Sequence, residues 1–532
     1  MSRSDTPLRP KLRMGIDVGG TNTDAVLMDG DKVLAWHKAA TGVRITDAIV
    51  TAASTVLRDG NAVPEQVFAV MLGTTQFTNA VIERRRLNQV AVLRLAAPAT
   101  TAVLPMSDWP EDLRQVVDGG HHLLRGGLEF DGREISALDE AEILAAAKEI
   151  RDRKINAVAI TSVFSPLDAD MEHRAEAILR QELPDAAITL SHRIGRIGLL
   201  ERENAAILNA ALSTLAVRVL DAFTQAIEDL GLTAPLYISQ NDGTLMTAAH
   251  AARYPVLTFA SGPTNSMRGA AVLSGLNDAL VADIGGTTTD IGLLLDGFPR
   301  EAAMTVEVGG VRTNFRMPDL LALGLGGGSL VRDDGNRIGP DSVGFELVQR
   351  ALVFGGDQLT MSDIAVAAGQ MDLGDTARVT QLDSVDAALA RAAEMIEAAL
   401  ERVRPSAATL PVILVGGGAP VLAGDRIGGG DIVRPNHGQV ANAIGASIAM
   451  VGGECDRIFS LDGVSREAAL AAAKDEATAQ AVEAGAEADS IRIVEMDEIP
   501  LSYLPGNATR LRVKVVGDLQ GASMGAGMEI GA

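Results

Sequence analysis

The chain has a single cysteine, Cys455, in 532 residues. One thiol excludes an internal disulfide, a zinc knuckle or a cysteine-ligated iron–sulfur cluster built within one chain. Its expected role is that of a small buried apolar residue. Aromatic residues make up 3%, with two tryptophans, too few for the stacking platforms that hold single-stranded nucleic acid. Positive charge is also short: 46 Lys and Arg against 69 Asp and Glu leave a formal net charge of −23. Such a body repels a phosphate backbone, so nucleic acid is not expected as a partner. It also leaves a nucleoside triphosphate dependent on local donors and a divalent cation. No uninterrupted apolar run reaches the ~18–20 residues that cross a bilayer. The first 13 residues are polar with no apolar signal region. The expectations are a cytoplasmic protein, no membrane partner and a frayed start.

What is present is a globular composition, 47% hydrophobic and 22% charged, with length for two or three domains. The most informative feature is an eight-residue signature, D-x-G-G-T-x-T-D, that occurs twice. The first copy is Asp17-Val18-Gly19-Gly20-Thr21-Asn22-Thr23-Asp24 and the second is Asp283-Ile284-Gly285-Gly286-Thr287-Thr288-Thr289-Asp290. Each lies between two short apolar runs, and each second run meets an Asp-Gly turn, Asp29-Gly30 and Asp296-Gly297. The local pattern predicts strand, tight glycine turn, strand.

The tip chemistry suits a triphosphate. Glycines let backbone N–H groups approach phosphate oxygens, and threonines add neutral donors. Aspartates repel phosphate directly and need a cation between, Mg²⁺ held partly through water. One such hairpin is only a turn; two in matching context favour phosphate binding, one from each side. Two more glycine clusters fit the plan. Gly416-Gly417-Gly418 follows the apolar run 411–415 and can lie flat against a base or ribose. The cluster at 324–328, with Gly326 and Gly327, is explained equally well by tight packing. Gly73-Thr74-Thr75 opens a helix that carries Asn79; anion binding and simple capping are both open for that turn.

The chain divides into three expected units: 11–196, 197–455 and 456–532. Strands are predicted at 14–18, 25–28, 67–71, 90–95, 157–164 and 187–190, with helices at 46–58 and 139–152. The stretch 101–135 reads as a loop or insertion with exposed His121 and His122. A helix over 199–230 is expected to bridge the halves, and the α/β pattern restarts with a strand at 236–239. Further expectations are a helix at 384–403, a strand at 411–415, a helix at 465–486 and a strand pair around Leu504-Pro505-Gly506-Asn507. Residues 520–532 read as a loose Gly/Met-rich end.

The two hairpins in repeated halves, with the later Gly-Gly-Gly turn, resemble the actin/hexokinase/Hsp70-like ATPase superfamily. The wording at 15–24, 72–84, 261–270, 283–291 and 324–329 is similar to the hydantoinase/oxoprolinase family, A-type (ATPase) subunit, in a short form. The resemblance implies an α/β fold of duplicated actin-like (ribonuclease H-like) domains, an interdomain nucleotide cleft and a small C-terminal α+β segment. It implies ATP-dependent opening of a cyclic amide such as a hydantoin, 5-oxoproline or a lactam, through a phosphorylated amide. The implied cofactors are ATP and Mg²⁺, and the implied partner is a B-type subunit in a homodimer or hetero-oligomer. Carried onto this chain, Asp17 and Asp283 are the catalytic and metal-binding residues. Gly19, Gly20, Thr21, Asn22, Thr23, Gly285, Gly286, Thr287, Thr288, Gly326, Gly327, Gly416, Gly417 and Gly418 bind nucleotide. Thr74, Thr75 and Asn79 line the substrate side. The family's His-Thr before the glycine run is Leu321-Ala322 here, so no histidine is carried over. The segment 499–510 is either a docking surface or a plain hairpin. Two other functions fit the hairpins: an ATP-dependent carboxylase subunit and a chaperone-like reactivating ATPase.

Overall fold

The computed structural model describes residues 11–42, 44–302, 306–314, 317–405, 409–502 and 507–520. Residues 1–10 of the expected frayed start, the loose end beyond Gln520 and most of the turn at 504–507 lie outside the described residues, while Leu12 and Arg13 already belong to the first strand.

Three sheets carry the architecture. The largest has nine strands in the order Arg492–Pro500, Thr509–Gly517, Val451–Phe459, Leu245–Thr247, Leu236–Ser239, Val67–Thr74, Leu12–Val18, Asn22–Asp29, Lys32–Ala40. The central strands Leu12–Val18 and Val67–Thr74 are buried almost throughout, as a strand covered on both faces must be. The second sheet repeats the local plan. Ala279–Ile284 pairs antiparallel with Thr289–Leu295 and parallel with Val412–Val415. The third sheet is all parallel, in the order Asp118–Arg125, Val90–Ala97, Ala157–Ser162, Ala187–Leu190.

Sheet order departs from chain order. The strand at 236–239, where the sequence pattern restarts, joins the first sheet by pairing parallel to Val67–Thr74. The C-terminal strand pair joins the same sheet through Val451–Phe459. These pairings are long-range, and hydrophobic alternation alone does not specify a partner strand. The stretch expected as a loop at 101–135 holds a helix, Glu111–Val117, and an edge strand, Asp118–Arg125. His121 and His122 therefore sit on a strand rather than an exposed loop, and burial lowers the pKa of His122.

The helix Leu199–Asp229 is long and apolar enough to cross a membrane, but most of its apolar residues are buried inside the protein. Ile207, Leu208, Leu212, Leu220 and Phe223 lie in the largest core cluster with Ile16, Ile49 and Val56. Its first turns also bury polar groups: Glu203 pairs with Arg94 at 2.7 Å, and Asn204 donates to the Arg312 carbonyl. Cys455 is buried on the strand Val451–Phe459, as expected of an apolar filler, and burial pushes its thiol pKa up.

Two helices close the space between the hairpins. Ser261–Ser274 crosses Ala441–Ile448 at glycines. A Cβ on Gly269 would strike the Ala441 carbonyl, and one on Gly445 would strike the Asn265 carbonyl. A Cβ on Gly15 would likewise strike the Ala443 carbonyl, so the second helix lies directly on the first hairpin. Glycine is required at these points by proximity alone.

Candidate functional site

The two signature copies form matching hairpins. In the first, Asp17 pairs with Asp24 and Val18 with Thr23; in the second, Asp283 pairs with Asp290 and Ile284 with Thr289. Each tip is closed by the same bond: Gly19 N–H donates to the Asn22 carbonyl at 3.0 Å, and Gly285 N–H to the Thr288 carbonyl at 2.9 Å. The tips face each other, with the Thr21 hydroxyl oxygen 3.6 Å from where a Gly286 Cβ would stand.

Each hairpin is flanked by a parallel strand that runs into a glycine turn, one residue out of step between the halves: Gly73 pairs with Asp17, whereas Val415 pairs with Asp283 and Gly416 follows it. A Cβ on Gly73 would lie 2.5 Å from Asp17 Oδ1, and one on Gly416 would strike Asp283 Oδ1. By pairing register Gly73 corresponds to Val415, yet Gly73 and Gly416 each bring a bare Cα against an aspartate Oδ1. The sequence does not reveal this likeness, because the two turns are offset by one residue.

The carboxylates are crowded. Asp17 Oδ2 accepts from Asn442 Nδ2 at 2.9 Å, and the same amide donates to Asp24 Oδ2 at 3.0 Å. Lys38 Nζ holds Asp24 at 2.6 Å. Burial, reinforced by the Asp24 charge and opposed by the Asn442 hydrogen bond, pushes the Asp17 pKa up to about 7. Burial and the Asp283 charge do the same to Asp290, also to about 7. Asp283 is raised by burial, against a hydrogen bond from Ser266. Asp17 Oδ1 is buried and has no hydrogen-bond partner. Buried and half-buried acids with one lysine among them, and an orphaned carboxylate oxygen, are the electrostatics a divalent cation relieves. No group of three or more His, Cys, Asp or Glu converges as a metal site among the described residues. An unpartnered Asp17 oxygen suits Mg²⁺, which takes one or two carboxylates and completes its shell with water and phosphate oxygens.

The structure sorts the expected site residues. Gly20 is exposed and open in front, as is Gly417, with nothing within 4 Å of a Cβ position. Thr287 and Thr288 are exposed at the second tip. Thr23 is buried and braces the hairpin through Thr41 at 3.1 Å. Gly326 and Gly327 are buried behind the second tip, and their amides are committed to the Ser329 hydroxyl and the Gly285 carbonyl. Gly416 and Gly418 likewise donate to the Gly438 and Ile284 carbonyls. These glycines are placed to support the tip from behind. Thr74 Oγ1 caps the following helix by accepting from Gln76 N–H at 3.2 Å. Asn79 Nδ2 reaches Thr75 Oγ1 at 3.4 Å, and Thr75 Cγ2 lies 3.7 Å from a Gly262 Cβ position.

Four further residues enter the site: Lys38, Asn442, Asn265 and Ser266. Asn265 and Ser266 lie in the segment 261–270 that carries the family wording, so a signal was present. Lys38 and Asn442 carry no motif, and only the fold brings Asn442 425 residues back to Asp17.

The fold and site define a class: an α/β protein with two equivalent phosphate-loop-like hairpins meeting across a cleft. Solved structures share this fold. The ATP-dependent caprolactamase from Pseudomonas jessenii superposes with TM-score 0.75 at 22% identity, covering 97% of this chain and 89% of that one. An acetone carboxylase in its nucleotide-free form gives 0.71 at 18% identity, covering 96% and 88%. Residues 13–183 match the hydantoinase/oxoprolinase N-terminal region and residues 202–408 match hydantoinase/oxoprolinase. The chain belongs to the hydantoinase/oxoprolinase family. Among its relatives are the caprolactamase subunit alpha of Pseudomonas jessenii, 27% identical over 83% of this chain, and the acetophenone carboxylase gamma subunit of Aromatoleum aromaticum, 24% identical over 67%. The matches span 68% and 53% of those relatives' own lengths.

Proposed function

We propose that this protein is the ATP-using subunit of an enzyme that opens a cyclic amide, acting with a second, B-type subunit. The observation that carries the reading is the meeting of two equivalent hairpins, each with an aspartate under a flanking glycine. Gly20, Thr21, Gly286, Thr287 and Thr288 form the tips that grip the polyphosphate, with Gly417 open to the nucleoside side. Asp17 and Asp283 are the residues that hold Mg²⁺, which supplies charge neutralisation on the phosphates when bound. Asn442 and Lys38 keep Asp17 and Asp24 in place. Thr75 and Asn79 line the wall beside Asp17, where the ring amide is received.

The chemistry is consistent with that division of labour. An unstrained amide is a poor electrophile with a poor leaving group. Transfer of the γ-phosphoryl group to its carbonyl oxygen makes the carbon reactive and couples ring opening to ATP. Catalysis of that transfer is mainly positioning and charge stabilisation. The likeness to a caprolactamase subunit over most of the chain supports an amide substrate. Likeness to carboxylase subunits supports a second reading, ATP-dependent activation of bicarbonate or a ketone.

The test is Mg-ATP turnover by wild type and Asp17→Asn across hydantoins, 5-oxoproline, lactams and bicarbonate. Stimulation by a cyclic amide, abolished in the variant, is the expected result. Stimulation by bicarbonate alone selects the carboxylase reading. ATPase activity indifferent to every small molecule and raised by a client protein selects a reactivating ATPase.

A further inference from the structure

The helix Gln76–Ile82 has Thr75 at its N-cap and Asn79 one turn on. Its other end stops in a way that sequence does not favour. The Arg85 N–H donates to the Ala80 carbonyl at 3.1 Å and the Arg84 N–H to the Val81 carbonyl at 3.3 Å, the paired bonds of a left-handed helix stop. Arg84 has φ +54°, at the position glycine usually fills because an L side chain is strained there. An arginine kept at a glycine position points to a use for its side chain.

That side chain joins three elements. Nη1 donates to the Val81 carbonyl at 3.0 Å and the Ile82 carbonyl at 2.9 Å, at the end of the helix. Nη2 donates to the Gly309 carbonyl at 3.0 Å, and Nε to Asp112 at 2.9 Å. Only a planar fork of five N–H donors serves so many acceptors at fixed angles. Gly309 lies at the tip of the hairpin Val306–Thr313, where Val308 pairs with Val311 across Gly309-Gly310, both at positive φ, as a two-residue hairpin turn requires. In the chain this hairpin falls between Phe298–Pro299 and Leu320–Leu323, and both of those pair with Thr289–Leu295, the strand that leaves the second tip. Yet its own Val308 and Val311 share a core cluster with Phe77, Ala80 and Val81 of the first half. The contact is tight: a Cβ on Gly309 would lie 2.9 Å from Val81 Cγ1, and one on Gly310 2.5 Å from Pro110 Cγ.

We propose that Arg84 is a positioning residue for the ring amide: it fixes the far end of the helix that presents Thr75 and Asn79, and it ties that wall to the half of the chain bearing the second tip. The inference rests on the cyclic amide reading above. Thr75 Cγ2 lies 3.7 Å from a Gly262 Cβ position that is itself 3.9 Å from Asp17 Oδ1, so a shift of the helix moves the wall against the acid. The helix has seven residues, too few to hold its shape without tertiary contacts. Release of its last carbonyls therefore reaches Asn79 and Thr75.

The experiment uses the full chain with Arg84→Gly, Arg84→Lys and Asp112→Asn, and the cyclic amide giving the highest turnover in the panel above. Arg84→Gly removes the guanidinium and relieves the backbone, so a residue needed only to stop the helix is replaced without loss. Instead, kcat/KM for the amide is expected to fall about 100-fold, the scale of a misplaced reactant. Arg84→Lys falls nearly as far, since it keeps the charge but not the fork. In both, Kd for a non-hydrolysable ATP analogue stays within about twofold, because each tip is closed by its own hairpin bond. Asp112, 66% exposed, is a weak partner, and Asp112→Asn stays within about twofold of wild type. Hydrogen exchange rises at 76–85 in Arg84→Gly and not at 17–24 or 283–290. An amide kcat/KM within about threefold of wild type in Arg84→Gly overturns the inference, as does a nucleotide Kd weakened by the same factor as kcat/KM. If no cyclic amide stimulates the wild type, the function reading fails by itself. Exchange at 76–85 then still decides whether Arg84 holds the helix, and unchanged exchange overturns the tie.

Discussion

Gly73→Ala separates the site from the fold. The residue lies in a strand at ordinary φ, so alanine brings no backbone strain. Its methyl would stand 2.5 Å from Asp17 Oδ1 and 2.7 Å from Asn265 Nδ2. Ordinary contact begins near 3.4 Å, so both side chains must retreat by a large fraction of an ångström. Overpacking of this kind costs about 1–3 kcal/mol. Replacing glycine by alanine restricts the unfolded chain and returns about 0.4–1 kcal/mol. The net loss of stability is therefore small, about 0–2.5 kcal/mol. Catalysis has no such compensation: a displacement approaching 1 Å at the reacting centre costs about 100-fold. Denaturant unfolding and substrate-stimulated ATP turnover, measured on the same preparations, give the comparison. Turnover within threefold of wild type would refute the placement of Asp17 at the reacting centre.

Gly20→Ala should leave stability unchanged, since nothing lies within 4 Å of its Cβ position, yet weaken ATP binding measured by calorimetry. Gly445→Ala drives a methyl into the Asn265 carbonyl; it should destabilise by about 2 kcal/mol or more, read as a lower denaturant midpoint. The buried pair Arg94–Glu203 predicts a loss of about 3–5 kcal/mol for Glu203→Leu alone, with much of it regained in Arg94→Met/Glu203→Leu. Burial opposes the charge on Asp242, but Lys514 at 2.8 Å overrides it and holds the pKa down to about 2. A depressed carboxylate stabilises above its unfolded value near 3.9 and loses that contribution as pH falls toward 2. Acid unfolding of Asp242→Asn should therefore lack part of the wild-type pH dependence between about pH 4 and 2.

The repeat D-x-G-G-T-x-T-D could be read because its chemistry is local: glycine, threonine and aspartate at a strand–turn–strand junction specify the hairpin whatever surrounds it. The long helix, the buried strands and the glycine turns were legible for the same reason. Periodicity and turn residues act over a few positions. The edge strand Asp118–Arg125 was not, because its polar histidines read as loop and only pairing with Val90–Ala97 makes it a strand. The placement of Leu236–Ser239 and the C-terminal strands in the first sheet was equally hidden, since strand partners are set by long-range burial. Within the site, sequence alone determined which residues form the two tips. The tertiary structure decided that Gly73 and Gly416 each stand against an aspartate, that Gly326 and Gly327 stand behind a tip, and that Asn442 and Asn265 converge on Asp17. Those relations depend on two helices crossing at Gly269 and Gly445; small residues in a helical pattern permit a close approach but do not name its partner.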